Sequence, residues 1–256
     1  MITTAILCLQ PLTPTTGMKR NPWQYSGKFE GDMIFSNKRN ALTNLNFRWP
    51  NGKVCYYIPS NFPDWQKNMI KRAFANGLSG TCVQAVECRN CCGGDYVSIT
   101  NDKKGCYATV GRTGGAQELN LATNCWYEYV ILHEFLHTLG LWHQQNVPNR
   151  DNYVQVFLEN VIDVEQYNFK KFTSRYVTSF GQRYDYCSLM HYDEFAFSKN
   201  GLATIRATRV SMNIIKIVNT FTFDFQSWNC PQGIGRATGL SPIDRNKINT
   251  MYCNSG

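Results

Sequence analysis

The sequence predicts an α+β fold, and three observations carry that reading. Short segments of strand character, separated by Gly-rich turns, recur between about residues 54 and 121. Two stretches, 63–78 and 125–138, place apolar residues at helical spacing. The length of 256 residues, against roughly 100–200 per domain, allows one large domain plus a short appendage, or two small domains.

The elements follow in order. Residues 1–39 lack clear periodicity and end in Lys38-Arg39, a processing site. Val54 to Ile58 is predicted as a strand after the turn Pro50-Asn51-Gly52. Over 63–78, Trp65, Met69, Ile70, Ala73, Phe74 and Leu78 form a helical apolar face, with Pro63 near the first turn and Gly77 near the end. Strands are expected around Tyr96–Thr100, Cys106–Val110 and Gln117–Leu121, and a second helix over 125–138. Beyond it no regular element is assigned until Ser241-Pro242-Ile243-Asp244, where Ser241 caps a last helix with Pro242 at its first position. There is no internal repeat and no N-x-Ser/Thr acceptor.

Composition excludes several classes. The chain is 43% hydrophobic and 17% charged, below the roughly 25% charged of an average domain, so a core is available and a disordered tail protein is excluded. No stretch approaches the ~18–20 apolar residues of a transmembrane helix. The net charge is +8, of which +3 sits in residues 1–39. The remaining +5 is spread over 217 residues without a basic run, which argues against a nucleic-acid partner. Eleven cysteines are too many for a reduced cytosolic chain. Cys88, Cys91 and Cys92 form a Cys-x-x-Cys-Cys cluster that no second Cys-x-x-Cys answers, so a disulfide framework and secretion are expected. The leader is weak: Lys19 is the first charge, and the apolar stretch Ala5-Ile6-Leu7-Cys8-Leu9 is short. Secretion is inferred from the thiols and not from the leader: either the start is truncated or the segment is something else.

Chemistry concentrates in the histidines. The chain has four, and three fall in His133-Glu134-Phe135-Leu136-His137-Thr138-Leu139-Gly140-Leu141-Trp142-His143. On a helix, His133 and His137 share a face. Gly140 can take the positive φ that ends the helix and turns the chain, bringing His143 back as a third nitrogen ligand. Three neutral imidazoles leave one or two positions open for water, the arrangement of a catalytic zinc site. Zinc lowers the pKa of bound water to about 7 and polarises a carbonyl oxygen. Glu134, beside His133, is placed to take the water's proton as general base and pass it to the leaving amine. The extended H-E-x-x-H-x-x-G-x-x-H pattern is far more specific than its first five positions.

The fourth histidine lies in Ser188-Leu189-Met190-His191-Tyr192. With this S-x-M-H-Y turn the chain resembles the astacin metallopeptidases, of the metzincin clan. The resemblance implies a two-lobed α+β catalytic domain. Its N-terminal lobe holds a small twisted sheet and the active-site helix, and its C-terminal lobe is mostly irregular with a terminal helix. One Zn2+ per chain would sit at the floor of the cleft between the lobes. It also implies that Met190 forms a hydrophobic floor under the metal. The Tyr192 hydroxyl would approach zinc and stabilise the oxyanion, while His191 is structural rather than a ligand. Arg150-Asp151-Asn152-Tyr153-Val154, Gly105-Cys106-Tyr107-Ala108-Thr109-Val110-Gly111 and Gly115-Ala116-Gln117 extend the match. By the same analogy the strand near 117–121 is the edge along which an extended protein or peptide substrate pairs. Two disulfides are implied, Cys82–Cys253 and Cys106–Cys125. Cys55, Cys88, Cys91, Cys92, Cys187 and Cys230 are left with 15 possible pairings. Phe29-Glu30-Gly31-Asp32-Met33 is similar to the F-x-G-D segment of astacin propeptides. Asp32 would then ligate zinc as a zymogen latch, released by cleavage after Arg39. Residues 1–39 are thus leader remnant and propeptide, and 40–256 the peptidase domain.

The chain departs from the family pattern at Gln144, where a glutamate usually meets the new N-terminal amine, and at Val147 and Asn149 in place of arginine and aspartate. A neutral amide forfeits that charge pairing and weakens the maturation switch. Residues 210–226 have no counterpart. Val210-Ser211 can be encoded by GTAAGT and Phe225-Gln226 by TTTCAG, splice-donor and acceptor consensus sequences, so these 17 residues are either a retained intron or a genuine insertion. Sequencing cDNA across codons 200–235 decides between them. The sequence stops at Gly256 without an EGF-like or CUB-like module, so either targeting lies elsewhere or the sequence is incomplete. The expectation is a secreted, monomeric, zinc-dependent endopeptidase made as a zymogen. The alternative is a catalytically impaired astacin-like binding or decoy protein.

Overall fold

The structure, a computed structural model, describes residues 21–35, 45–88, 94–174, 177–208 and 230–253. The Lys38-Arg39 pair, Cys91, Cys92 and the 210–226 stretch lie outside the described residues. Alternating burial makes β2 (Lys53–Tyr57) and β4 (Tyr96–Thr100) strands. They join β1 (Met33–Ile34), β3 (Gln84–Glu87), β5 (Cys106–Thr109) and β6 (Ala116–Leu121) in one sheet of order β1-β5-β6-β4-β2-β3. Only β5 runs antiparallel to its neighbour β6, with Cys106 opposite Leu121 and Ala108 opposite Leu119.

This order corrects the expected substrate edge. The strand at 117–121 lies inside the sheet, bonded to β4 on one side and β5 on the other. Its burial shows the same thing: Gln117, Leu119, Asn120 and Leu121 are all buried, and the Asn120 amide bonds to the carbonyls of Lys103 and Gly105. The outer strand of the domain on this side is β5, and β1 covers it in parallel, Met33 facing Ala108.

Helix α1 (Asp64–Gly77) buries Ile70, Ala73 and Phe74. It crosses α2 (Glu128–Thr138) so closely that a Cβ on Gly77 would come within 2.6 Å of the Leu132 side chain. Phe74 and Phe135 meet at 4.3 Å between ring centroids. The second helix starts at Glu128 rather than 125, because Thr123–Cys125 forms a separate 3-10 turn. Every residue from Val130 to Thr138 is buried. This is the central helix, packed on β5 and β6.

After Gly140, whose φ is 97°, the second lobe is largely 3-10 turns and loops. Its one two-stranded ladder among the described residues, β7 (Val154–Val156) with β8 (Ile205–Ala207), has no counterpart in the sequence reading. Helix α3 (Pro242–Tyr252) begins with a capping box: the Asp244 N–H donates to Ser241 Oγ at 2.8 Å, and the Ser241 N–H donates to Asp244 Oδ2 at 3.3 Å. The Tyr252 hydroxyl donates to the Leu139 carbonyl at 2.7 Å, tying α3 to the end of α2. Disulfides join Cys82 to Cys253, Cys106 to Cys125 and Cys187 to Cys230. Cys88 is also disulfide-bonded, and Cys55 is a free thiol.

Candidate metal centre

Helix geometry puts His133 and His137 one turn apart on α2, and the turn at Gly140 returns His143 to them. The three Nε2 atoms converge on one carboxylate, that of Asp32. His133 Nε2 lies 3.0 Å and His143 Nε2 3.3 Å from Asp32 Oδ2, and His137 Nε2 lies 3.3 Å from Oδ1. All four side chains are buried, and one donor atom from each lies within 4.8 Å of all the others.

The outer nitrogens decide the tautomers. His133 Nδ1 faces the Leu189 carbonyl at 2.9 Å, and His137 Nδ1 faces the Leu141 carbonyl at 2.8 Å. Carbonyls only accept, so both Nδ1 atoms carry the proton and both Nε2 lone pairs point inward. His143 Nδ1 instead faces Glu30 Oε2 at 2.8 Å.

The donor set fits a metal ion. His137 Nε2, Asp32 Oδ1 and both Glu134 carboxylate oxygens are buried without a hydrogen-bond partner, a cost that a bound cation would relieve. Burial raises the Asp32 carboxyl, but the surrounding histidines, His143 foremost, outweigh it and hold that carboxyl well below 3.8. Burial, with the Asp32 charge behind it, pushes the Glu134 carboxyl well above 4.5.

The turn under the site is held from behind. Ser188 Oγ donates to Asp244 Oδ1 at 2.7 Å, and the Leu189 N–H donates to Asp244 Oδ2 at 2.8 Å. The Gln144 N–H donates to the Met190 carbonyl at 2.9 Å, and Met190 is 1% exposed. The Tyr192 hydroxyl, 4.7 Å from the His143 ring by centroids, donates to the Glu30 carbonyl at 2.6 Å. Its backbone N–H donates to Gln145 Oε1 at 3.1 Å. His191 turns away, bonding Tyr184 and the Tyr192 carbonyl. Gln144 accepts a hydrogen bond from the buried Lys247 ammonium, so its neutral amide has a cationic partner within the chain. Val147 is buried and Asn149 exposed, and neither belongs to the group of Asp32, His133, His137 and His143.

Three positions escaped the sequence reading: Glu30, Asp244 as anchor of the Met-turn, and Gln145. Glu30 carries a signal, since it occupies the open position of the F-x-G-D segment. Asp244 is visible in the sequence only as part of the helix start that Ser241 caps.

A helix-borne histidine pair, a third histidine after a glycine turn, and a methionine turn beneath them define a metalloproteinase-type domain. The comparisons agree. Residues 41–253 match the family model for Astacin, a peptidase family. Zinc metalloproteinase nas-6 of Caenorhabditis elegans is 33% identical over 241 residues, covering 90% of this chain and 64% of that protein. Zinc metalloproteinase nas-8 of Steinernema carpocapsae is 35% identical over 235 residues, covering 89% and 51%. Among solved structures, high choriolytic enzyme 1, a hatching enzyme zinc-protease from the medaka fish Oryzias latipes, superposes with a TM-score of 0.65 at 31% identity, covering 80% of this chain and 92% of that one. The chain belongs to the astacin family, and spans about half to two-thirds of the length of these two curated relatives.

Proposed function

We propose that the chain is a zinc-dependent endopeptidase, secreted and made as a zymogen, with residues 1–39 as the inhibitory part and 40–256 as the peptidase domain. The observation that carries this reading is the convergence of three buried imidazoles on Asp32 with the unpartnered Glu134 beside them. His133, His137 and His143 would hold the metal. When bound, zinc supplies Lewis acidity toward a carbonyl oxygen and makes a nearby water acidic near neutral pH.

The chain's own groups do the rest. Glu134 accepts a proton from water and returns it to the leaving amine, a role that its buried carboxylate oxygens, free of any hydrogen-bond partner, suit. Tyr192, whose hydroxyl burial keeps protonated, donates toward negative charge developing on the carbonyl oxygen once Glu30 no longer takes that bond. Met190 closes the floor. Asp32 occupies the inward side of all three imidazoles, which supports its role as a latch. Cleavage after Arg39 would free the segment. An extended substrate would then take the β5 edge that β1 covers, and not the strand at 117–121. Three disulfides among the described residues support an oxidising, extracellular setting. No helix among the described residues is long and apolar enough to cross a membrane.

The test is turnover of a denatured protein substrate by the zinc-loaded chain after cleavage at Arg39. Expected are loss with a chelator and a roughly 10²–10⁴-fold drop for Glu134→Ala. Equal activity in Glu134→Ala would overturn the assignment.

A further inference from the structure

The segment before Asp32 places a large side chain beside the metal centre. Trp23 is 1% exposed. Its indole stacks on the His133 ring, 4.2 Å between centroids and 16° between planes. It meets the Tyr129 ring edge-on at 6.1 Å and 76°. The 3-10 turn Pro22–Tyr25 that carries it packs on β5 and on the Thr123–Cys125 turn, which the Cys106–Cys125 disulfide links. The indole Nε1–H finds no acceptor, so the pocket offers rings and apolar surface and no polar partner.

The same segment imitates a peptide along the sheet edge. Ser26 Oγ donates to the Cys106 carbonyl at 2.7 Å and accepts from the Cys106 N–H at 2.8 Å. One hydroxyl thus satisfies both edge groups that a neighbouring backbone would otherwise pair. Gly105, at φ 89°, leaves the room: a Cβ there would lie 2.3 Å from Ser26. Gln24 Nε2 donates to Asp193 Oδ2 at 3.0 Å and Asn21 Nδ2 to the Gly235 carbonyl at 3.1 Å, anchoring the turn on the far wall of the cleft.

We infer that the pocket filled by Trp23, between the His133 ring and Tyr129, is a substrate subsite for an aromatic side chain next to the scissile bond. The inference rests on the peptidase reading and adds the substrate class. Because one wall is the ring of a metal-facing histidine, the occupant belongs to a residue directly flanking the bond cut. Because no polar group answers the indole N–H, phenylalanine serves as well as tryptophan. Tyr129 sets the preference, since it is the wall that does not face the metal.

Two measurements test this on the cleaved, zinc-loaded protein. Calorimetric binding of a synthetic peptide of residues 21–34 should weaken about 30-fold on Trp23→Ala and little on Trp23→Phe. This arm reads the pocket even if the protein cuts nothing, so failure of the peptidase reading is separately visible. In a peptide library, aromatic residues should exceed alanine by about tenfold or more in kcat/KM at one position flanking the cleaved bond. Half-buried Tyr129, changed to Ala, should alter that ratio and leave the other positions unchanged. Equal binding of the Trp23→Ala peptide, or a flat profile at both flanking positions, overturns the inference.

Discussion

Glu30 Oε2 lies 2.8 Å from His143 Nδ1, so the third histidine takes its outer partner from the segment that covers the cleft. His133 and His137 donate theirs to carbonyls of the domain itself. Glu30 also accepts from Asn146 Nδ2 at 2.6 Å, and its carbonyl accepts from Tyr192. It holds these bonds at φ 47°, in the left-handed region, where a non-glycine residue costs roughly 1 kcal/mol or more. Two carboxylates therefore grip the site, Asp32 inside and Glu30 outside. Glu30→Ala in the uncut, zinc-loaded chain is expected to loosen the segment about 10- to 100-fold. Turnover by uncut protein is the readout, and a variant as silent as the parent would show that Asp32 suffices.

Asp244 is expected to matter more than a helix cap usually does. Buried and accepting from Ser188, Leu189 and Ser241, it ties α3 to the Met-turn. Asp244→Ala removes the acceptor half of the capping box, worth about 1 kcal/mol, and leaves the Ser188 and Leu189 donors orphaned as well. A loss of about 3–5 kcal/mol in chemical denaturation is predicted, against a loss near 1 kcal/mol if the aspartate only capped.

His191 supplies a pH dependence. Burial, opposed by its bond to the Tyr192 carbonyl, lowers its pKa to about 4. Its Nδ1–H donates to that carbonyl and its Nε2 accepts from the Tyr184 hydroxyl, so the neutral ring satisfies both partners. The unfolded imidazole titrates near 6.5 and therefore binds more protons between pH 4 and 6.5. The stabilisation is full above pH 6.5 and lost as pH falls toward 4, by up to roughly 3 kcal/mol. In His191→Gln, denaturation midpoints measured across that window should lose this part of the slope. A slope identical to the parent's would place the acid sensitivity elsewhere.

Gly235 is a packing requirement behind the candidate oxyanion donor. Its φ is 66°, and a Cβ there would lie 2.2 Å from the Tyr192 carbonyl carbon. Gly235→Ala must displace that backbone, and a shift near 1 Å can cost about 10²-fold in rate. Steady-state kinetics on the cleaved chain should show the loss in kcat rather than KM. Unchanged kcat would separate Tyr192 from the chemistry.

The sequence carries the local parts of this arrangement. The histidine spacing and Gly140 specify a helix and a turn within eleven residues, and the Ser241 cap with Pro242 marks the start of α3. Burial of all residues from Val130 to Thr138 does not obscure α2, because the motif itself supplies the period. Strand neighbours are another matter. A period of two says which face is buried and nothing about which strand lies alongside, so the edge at 117–121 rests on the family resemblance alone, and β5 stands outside it. The polar Asn120 hides the full burial of β6, since its partners, the Lys103 and Gly105 carbonyls, come from a separate loop. Residues 21–34 have no periodicity to find. Their order comes from long-range contacts, such as Met33 with Ala108 and Asn21 with Gly235. The β7–β8 ladder is likewise long-range, with three residues in each strand.

The most direct test is turnover of a denatured protein by the uncut, zinc-loaded chain carrying Asp32→Ala. The parent chain should be silent, the variant should cleave without prior processing, and adding Glu134→Ala or a chelator should silence it again. A folded Asp32→Ala chain that holds one zinc and cuts nothing, before or after cleavage at Arg39, would contradict the latched-peptidase reading.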